Sequence, residues 1–558
     1  MASSTAILST LKHVTASKLN KLTQQNDKFE AHRAAILADV AAGKTRESKV
    51  RALLEGCRKH YITTGRSGIS VLNVKRFLAQ SGVDNSVATE LLDEWKAMLE
   101  QDLDIQGRKF EYASLFAKLV TEWMQLQIAM GKFDEMEPKR FSEREVKMCI
   151  NGVLKADLFS GPKREALVDL RSRPTILKEM ADVLNIDLES NVSEWNWGPS
   201  PVPLTMRRHL NGKYRVYMDE EIHQSLLLHL IGAKWCVHMK QAFTAFFRSG
   251  AWTSSPFHAM DRSSRKKREY FLGSFDQSER KRQDTTKAKR RRMYAEEFFM
   301  TQLPTELGDS RDYGDESRAE DLDLDAQSSD SKTPLEIKES MHRLATTEML
   351  LNKEIYGEFT IIQSDFKWFG PSLPHDTIFA VLKLLGVRGE WVDFFRKFLQ
   401  VPVFWAEDGR QKNPRDLSVR ARGIPMSHAI SDALGEAVMF CLDFAVSKQT
   451  GGSALYRFHD DLFFWGQEST CIEAWKTINE FSDIMGLELN EDKTGCVQVF
   501  DSLENTRSLP GGLPKGDVAW GFLRLDAKKG IWTVDETKVE EHIVELKRQL
   551  SACRSVFS

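Results

Sequence analysis

The sequence lacks the cysteine pattern and the long apolar runs that mark several classes of protein. Its 558 residues include seven cysteines, and no two of them are spaced as CxxC. This argues against a zinc ribbon or a disulfide framework and favours a reducing compartment. No apolar run approaches the roughly 20 residues that span a bilayer, and the N-terminus lacks the basic-then-apolar order of a signal peptide. We therefore expect an intracellular, soluble protein with no membrane partner, in the cytoplasm in preference to the nucleus.

A large excess of positive charge is also missing. The formal net charge is −2, with 41% apolar and 28% charged residues, which is ordinary for a soluble globular protein. Binding of a polyanion must therefore come from local basic patches. The length exceeds what one hydrophobic core organises, so we expect two or three lobes.

Proline is absent from Ser3 to Met136, and apolar residues recur there at helical spacing. We predict a helical N-terminal region over residues 1–195, a bundle or short coiled coil that carries no chemistry and offers a surface for a homo-oligomer. The run NWGPSPVP then breaks the pattern and marks a boundary. Two short β-prone runs about Asn211–Gly212 follow and indicate a hairpin.

The next segment is dominated by charge. Arg262 to Arg292 contains 13 lysines and arginines against four acids, and Glu306 to Asp330 contains ten acids against two arginines. We predict a solvated, flexible insertion over residues 261–332. It is either a loop without a role, a basic nucleic-acid clamp, an acidic shield over that clamp, or a nuclear-import signal.

The segment ALYRFHDDLFFWG has the pattern of a hairpin whose turn carries two adjacent acids, Asp460 and Asp461. Carboxylates bracketed by aromatic residues lose hydration, which disfavours their charge unless a divalent cation neutralises it. Upstream, the run FTII leads to a third acid, Asp365. One acid at a strand end and two on a neighbouring hairpin is what two-metal phosphoryl transfer requires.

These acids lie in a longer series of motifs. The stretch from Asp365 to His375 resembles motif A of reverse transcriptases, and RFHDD resembles motif C. Between them ARGIPMSHAISDAL is similar to motif B, although Met426-Ser427 stand where the family has Gln-Gly. Downstream, GLELNEDKTG and VAWGFLRLD resemble motifs D and E. The order and spacing match the family from Phe359 to Asp526.

The resemblance implies an α+β fold, a right-hand polymerase with a helical N-terminal region. Fingers would occupy residues 196–260, the palm residues 333–530, and the start of a truncated thumb residues 531–558.

The resemblance also implies roles for individual residues. Two Mg²⁺ ions, for which Mn²⁺ is a substitute, would be held by Asp365, Asp460, Asp461 and the backbone carbonyl of Phe366, and Lys493 would protonate the leaving pyrophosphate. The residues that would contact the nucleotide are Lys213, Arg215, Phe369, Gly370, Pro425 and Met426. The residues of the primer grip would be Trp520, Gly521, Phe522 and Leu523.

Within the family, the helical N-terminal region and the charged insertion resemble the cellular single-copy rvt proteins of fungi and some other eukaryotes. The implied function is polymerisation of dNTPs, and of NTPs as well, on an RNA or DNA template from a nucleic-acid or protein primer. Three alternatives stay open at this point: a catalytically reduced protein that serves as an RNA-binding scaffold, a telomerase-like polymerase, and a metal-dependent phosphohydrolase.

Overall fold

The structure is a computed structural model that divides the chain into two compact units, Met1–Gln125 and Leu126–Ser558. The residues it describes are 23–59, 78, 90–118, 141–189, 194–209, 214–248, 252, 266, 270, 286–307, 334–405, 418–501 and 509–552. In this part of the chain, no helix combines the length and the apolar character that a membrane crossing needs.

The described part of the first unit is helical, as predicted. Its helices are α1 (23–42), α2 (Arg46–Lys59) and α3 (Glu90–Lys118). Their apolar faces form one core that includes Ile36, Leu53 and Leu99. The helices approach closely at Gly56, where a Cβ would lie 2.6 Å from Ile36 Cγ1, so this position requires glycine.

The second unit begins with further helices and alternates them with short strands. Its helices are α4 (Glu143–Lys155), α5 (Pro162–Leu170), α6 (Pro174–Glu189), α7 (Ile222–Arg248), α8 (Thr286–Met293), α9 (Pro334–Tyr356), α10 (Phe369–Ser372), α11 (His375–Leu384), α12 (Gly389–Leu399), α13 (Ala429–Gln449), α14 (Glu468–Met485) and α15 (Glu536–Ala552). A capping box between Ser142 and Glu145 begins α4. Because α4 to α6 belong to this unit, the predicted helical region 1–195 is not one domain.

The described residues of the second unit form three antiparallel or mixed sheets. Their strands are β1 (Val202–Arg208), β2 (Tyr214–Met218), β3 (Glu358–Asp365), β4 (Pro402–Trp405), β5 (Ser418–Val419), β6 (Tyr456–Phe458), β7 (Asp461–Gly466), β8 (Gly495–Phe500), β9 (Ala519–Trp520), β10 (Leu523–Asp526) and β11 (Ile531–Val534). The strand orders are β2-β1-β4-β5, β6-β7-β3-β8 and β11-β10-β9. The hairpin predicted about Asn211–Gly212 is confirmed by the pairing of β1 with β2, although its turn lies outside the described residues. The fold is α+β, as predicted.

The core of the second unit is formed by α7 and α13. Almost every side chain of α13 from Ile430 to Ser447 is buried, and Phe243 of α7 stacks on Phe440 with ring centroids 4.0 Å apart. The helices cross at Gly232, where a Cβ would come within 2.4 Å of the Ile430 nitrogen. Because α7 and α13 pack this closely, α13 has little room to shift.

Residues 286–307 correct the prediction of a charged insertion over 261–332. The basic helix α8 is followed by a π-helical turn, Tyr294–Phe298, and the side chains of Tyr294, Phe298 and Phe299 are at most 4% exposed. Arg290 is paired with Glu348 at 2.8 Å. The aromatic residues after the basic run pack into the core, so the solvated insertion cannot include this segment.

Candidate active site

The predicted acidic hairpin is present, and it faces the end of β3. Strands β6 and β7 are joined by a two-residue turn, His459-Asp460, with Phe458 paired to Asp461. On the other side of β7, Asp461 is the cross-strand partner of Asp365, the last residue of β3. Directly opposed side chains on neighbouring strands lie about 4.5–5.5 Å apart at Cβ. The sheet therefore brings Asp365 and Asp461 together and places Asp460 in the adjoining turn.

Two of the three carboxylates, those of Asp460 and Asp461, are costly to ionise at this site. The pKa of Asp460 is raised, first by burial and then by Asp365, against the opposing charge of His459. Loss of hydration and the charges of Asp460 and Asp365 raise the pKa of Asp461 to about 6, although its side chain keeps 53% exposure. The cluster thus carries more negative charge than its immediate protein surroundings compensate.

One lysine supplies part of the missing positive charge. Lys493, in a short 3₁₀ turn before β8, places Nζ 2.6 Å from Asp365 Oδ2 and 3.9 Å from Asp461 Oδ1. The residue before this turn also holds the backbone at the end of β3, since the Asn490 amide donates to the Asp365 carbonyl at 2.7 Å. Phe366 forms an isolated β-bridge with Leu489. Within the described part of the chain, no three His, Cys, Asp or Glu side chains are grouped as a ready-made metal site.

A buried ion cluster lies beneath the turn. Arg457 of β6, 2% exposed, donates to both carboxylate oxygens of Glu436 at 2.8 and 2.7 Å and to those of Asp443 at 2.9 to 3.0 Å. Burial raises the pKa of Glu436, but the charge of Arg457 and the hydrogen bonds with His459 and Arg457 together lower it to about 2. Sequence reasoning missed these residues. A signal was there, because Glu436 and Asp443 are isolated acids in the apolar run ALGEAVMFCLDFAV, and buried charges need partners.

His459 connects the ion cluster to the turn. Its Nδ1 lies 3.3 Å from Glu436 Oε1, and its ring meets Phe369 edge-on at 5.0 Å between centroids. Burial lowers the pKa of His459, but the hydrogen bond with Glu436 and the charge of Asp460 raise it to about 9. Phe369, predicted to contact the nucleotide, is 2% exposed and packs beneath the turn.

The remaining residues predicted to contact the nucleotide divide into three groups. Gly370 lies beside the segment of Pro425 and Met426, since the Ile424 amide donates to the Gly370 carbonyl at 2.9 Å. Arg215 is paired in register with Arg207 on the β1–β2 hairpin. Lys213 lies outside the described residues.

The predicted primer grip is a second hairpin that packs against the acidic one. Trp520 of β9 pairs with Leu523 of β10, so Gly521 and Phe522 form the turn, and Gly521 has a φ of 56°. The Trp520 ring lies 4.6 Å from Phe463 of β7. Phe522 is 45% exposed at the tip. The structure therefore brings Trp520 to the acidic hairpin and leaves Phe522 at the surface.

Comparison with known proteins gives weak similarities only. No protein family and no curated protein matches the sequence. The structure of apo telomerase from Candida tropicalis is similar over 90% of this chain and 78% of that chain, at 10% identity and a TM-score of 0.28. A C. tropicalis telomerase truncated from its C-terminal domain is similar over 37% and 40%, at 14% identity and a TM-score of 0.28.

Candida albicans telomerase in complex with a TWJ fragment of telomeric RNA is similar over 36% of this chain and 34% of that chain, at 13% identity and a TM-score of 0.27. The chain thus spans well under half of the truncated C. tropicalis and the C. albicans structures. A likeness this weak does not establish a common family or function.

Proposed function

We propose that this chain is a reverse-transcriptase-like nucleotidyltransferase that transfers nucleoside monophosphates from nucleoside triphosphates to a nucleic-acid or protein primer, with release of pyrophosphate. The observation that carries the proposal is the pairing of Asp365 with Asp461 across β3 and β7, with Asp460 in the adjoining turn. Residues 196–260 would be the fingers and residues 333–530 the palm.

The donor set suits a hard divalent cation. Asp365, Asp460, Asp461 and the Phe366 carbonyl offer only oxygen, which Mg²⁺ prefers, and the raised pKa values of Asp460 and Asp461 reflect charge that a cation would relieve. These residues would hold two Mg²⁺ ions, or Mn²⁺ in their place, which when bound activate a hydroxyl and neutralise the charge of a triphosphate.

The chain's own residues would divide the remaining work. Lys493 is half-exposed beside the acids and can deliver a proton to a leaving pyrophosphate as its ion pair with Asp365 opens. Gly370 would lie at the sugar and Arg215 at the triphosphate. Trp520, held against Phe463, would support the primer end near the acidic turn.

Incorporation by the purified full chain tests the proposal. The assay supplies dNTPs or NTPs in Mg²⁺ or Mn²⁺, with and without RNA or DNA template, to the wild type, to Asp460→Asn and to the control Asp393→Asn, whose carboxylate is exposed on α12. We expect labelled product from the wild type and the control but none from Asp460→Asn, because an amide cannot supply the charge that holds the ions.

The competing functions predict other outcomes. Nucleic-acid binding without incorporation under any of these conditions would support the RNA-binding scaffold. Release of phosphate without product would support a phosphohydrolase. Incorporation by Asp460→Asn at the wild-type rate would show that the acids are wrongly assigned.

A further inference from the structure

The turn that carries Asp460 has an unfavourable backbone conformation. His459 has a φ of 55°, in the left-handed region that few residues other than glycine enter, although asparagine, aspartate and histidine do so more often than the rest. Such a conformation costs on the order of 1–3 kcal/mol and persists only where the surrounding structure imposes it. Neighbouring groups must therefore stabilise this conformation of His459, which precedes an acid of the candidate site.

Two hydrogen bonds hold this one residue from opposite ends. The Arg457 guanidinium donates from Nη1 to the His459 carbonyl oxygen at 3.2 Å. The His459 ring lies with Nδ1 3.3 Å from Glu436 Oε1, where the nitrogen donates to the carboxylate. The backbone and the side chain of His459 are thus both fixed to the same buried ion cluster.

Packing contacts the ring on two sides, while the side chain as a whole keeps 30% exposure. The Phe369 ring lies perpendicular to the imidazole, with centroids 5.0 Å apart. On another side, a Cβ added to Gly435 would lie 3.4 Å from His459 Cε1, so the absence of a side chain there makes room for the imidazole. The ring therefore lies in a space shaped by α10 and α13.

The cluster that anchors the ring is itself rigid. The side chains of Arg457, Glu436 and Asp443 are at most 2% exposed, and each carboxylate receives two or more hydrogen bonds from one guanidinium. Breaking a buried ion pair by removing one partner leaves an uncompensated charge and costs about 3–5 kcal/mol. The cluster therefore resists rearrangement and ties the turn to α13, whose side chains from Ile430 to Ser447 are almost all buried.

We infer that His459 is a positioning residue, which Glu436 and Arg457 hold so that Asp460 and Asp461 stand opposite Asp365 as a preformed cation site. The inference rests on the proposed function, because it assigns those acids to cation binding. Since preorganised ligands lose little freedom when the ion arrives, freeing the turn should weaken cation affinity without removing any ligand.

Two substitutions at His459 separate the anchor from the backbone conformation. Asparagine and glycine both tolerate positive φ. Only asparagine keeps a donor at the place of Nδ1. We expect His459→Asn to bind Mn²⁺ within about threefold of the wild type and His459→Gly to bind it about tenfold more weakly, as for loss of a group that orients ligands. Mn²⁺ binding to the full chain is measured by electron paramagnetic resonance well below the unfolding temperatures of all variants.

The outcomes distinguish this inference from the proposed function. If the wild type binds Mn²⁺, Asp460→Asn does not, and His459→Gly binds as the wild type does, the positioning role is overturned while the acid assignment stands. If the wild type binds no Mn²⁺, or Asp460→Asn binds it equally well, both are overturned. Equal weakening in His459→Asn and His459→Gly would also overturn the inference, because the retained donor would have had no effect.

Discussion

Lys493 Nζ lies 2.6 Å from Asp365 Oδ2, so an ammonium of the chain itself stands among the acids proposed to bind cations. Partial burial opposes the charge on Lys493, but its hydrogen bond with Asp365 and the charges of Asp461 and Asp460 raise its pKa. The ammonium therefore stays protonated at neutral pH. It can act as a counter-ion for the acids and as a proton donor to a leaving group, and the two roles predict different results.

Replacing Lys493 with methionine should separate these roles. If the ammonium donates a proton to pyrophosphate, kcat for incorporation at saturating Mg²⁺ should fall by about 10²-fold or more. Mn²⁺ binding should not weaken, because the ammonium competes for the same carboxylates. Single-turnover kinetics and Mn²⁺ titration measure the two effects. The control is Lys476→Met, whose side chain is exposed on α14, and an unchanged kcat in Lys493→Met would leave only the counter-ion role.

Local patterns predicted the strands of the candidate site well. The run FTII ends as β3 at Asp365, and the two β-prone runs around Asp460 form β6 and β7. Both contain short, nearly continuous apolar runs, which are typical of strands buried on both faces and are visible in the sequence. Because neither β3 nor β7 has one polar face, the pattern alone does not fix the register that pairs Asp365 with Asp461.

The support beneath these strands was not predicted, for a physical reason. Arg457 of β6 forms its ion pairs with Glu436 and Asp443 of α13. A contact between two separate elements produces no periodic pattern in a single sequence, so it could not be predicted from one. Similarly, charge averaged over residues 261–332 hid Phe298 and Phe299, which the fold buries. Composition describes a segment as a whole, whereas a few aromatic side chains suffice to fix it to a core.

The segment after the basic helix should therefore be needed for stability. Phe299 is 1% exposed, and Lys240 donates to the carbonyls of Phe299 and Met300 at 2.5 and 2.7 Å. We expect Phe299→Ala to lower the free energy of unfolding by about 3–5 kcal/mol. Deletion of the acid-rich residues 309–331 should change it little, since that stretch has few apolar residues to bury. Urea denaturation measures both free energies of unfolding. If Phe299→Ala left the free energy of unfolding unchanged, the burial of Phe299 in the core would be contradicted.

Stability should also depend on the titration of His229 in α7. Burial, and then the nearby His428, lower the pKa of His229 from 6.5 to about 4. Between these values the unfolded chain binds more protons than the folded one, so stability is present above pH 6.5 and is lost as the pH falls towards 4. The loss from this group should not exceed about 3.4 kcal/mol, since each pH unit between these two pKa values corresponds to about 1.4 kcal/mol.

The variant His229→Gln isolates this contribution, because its side chain does not titrate. We expect its free energy of unfolding to fall less than that of the wild type between about pH 7.5 and pH 5. Chemical denaturation at each pH gives the two slopes. Equal slopes would show that His229 does not titrate in this range in the folded protein.

The last prediction concerns the choice between ribose and deoxyribose, and it rests on the proposed function. Reverse transcriptases commonly place a bulky aromatic side chain, the steric gate, against the ribose 2′-hydroxyl, and the resemblance to motif A would put Gly370 at that position. Among the described residues, a Cβ at Gly370 would meet only Ile424 Cγ1, at 3.7 Å, so a side chain can begin at this position without a clash. Phe369 is committed to packing on His459 and cannot serve as the gate without leaving the core. An open gate should reject an added hydroxyl weakly, because shape alone discriminates by no more than about 10²-fold.

We therefore expect kcat/KM for ATP to lie within about 10²-fold of the value for dATP on the wild type. Gly370→Phe should lower kcat/KM for ATP far more than for dATP, because the ring would fill the space open to the 2′-hydroxyl. Gly370→Ala is the matched control, since its methyl group meets only Ile424 and should leave the ratio close to that of the wild type. Strong rejection of ATP by the wild type would contradict the open gate. An active Gly370→Phe that uses both sugars as before would show that the sugar lies elsewhere.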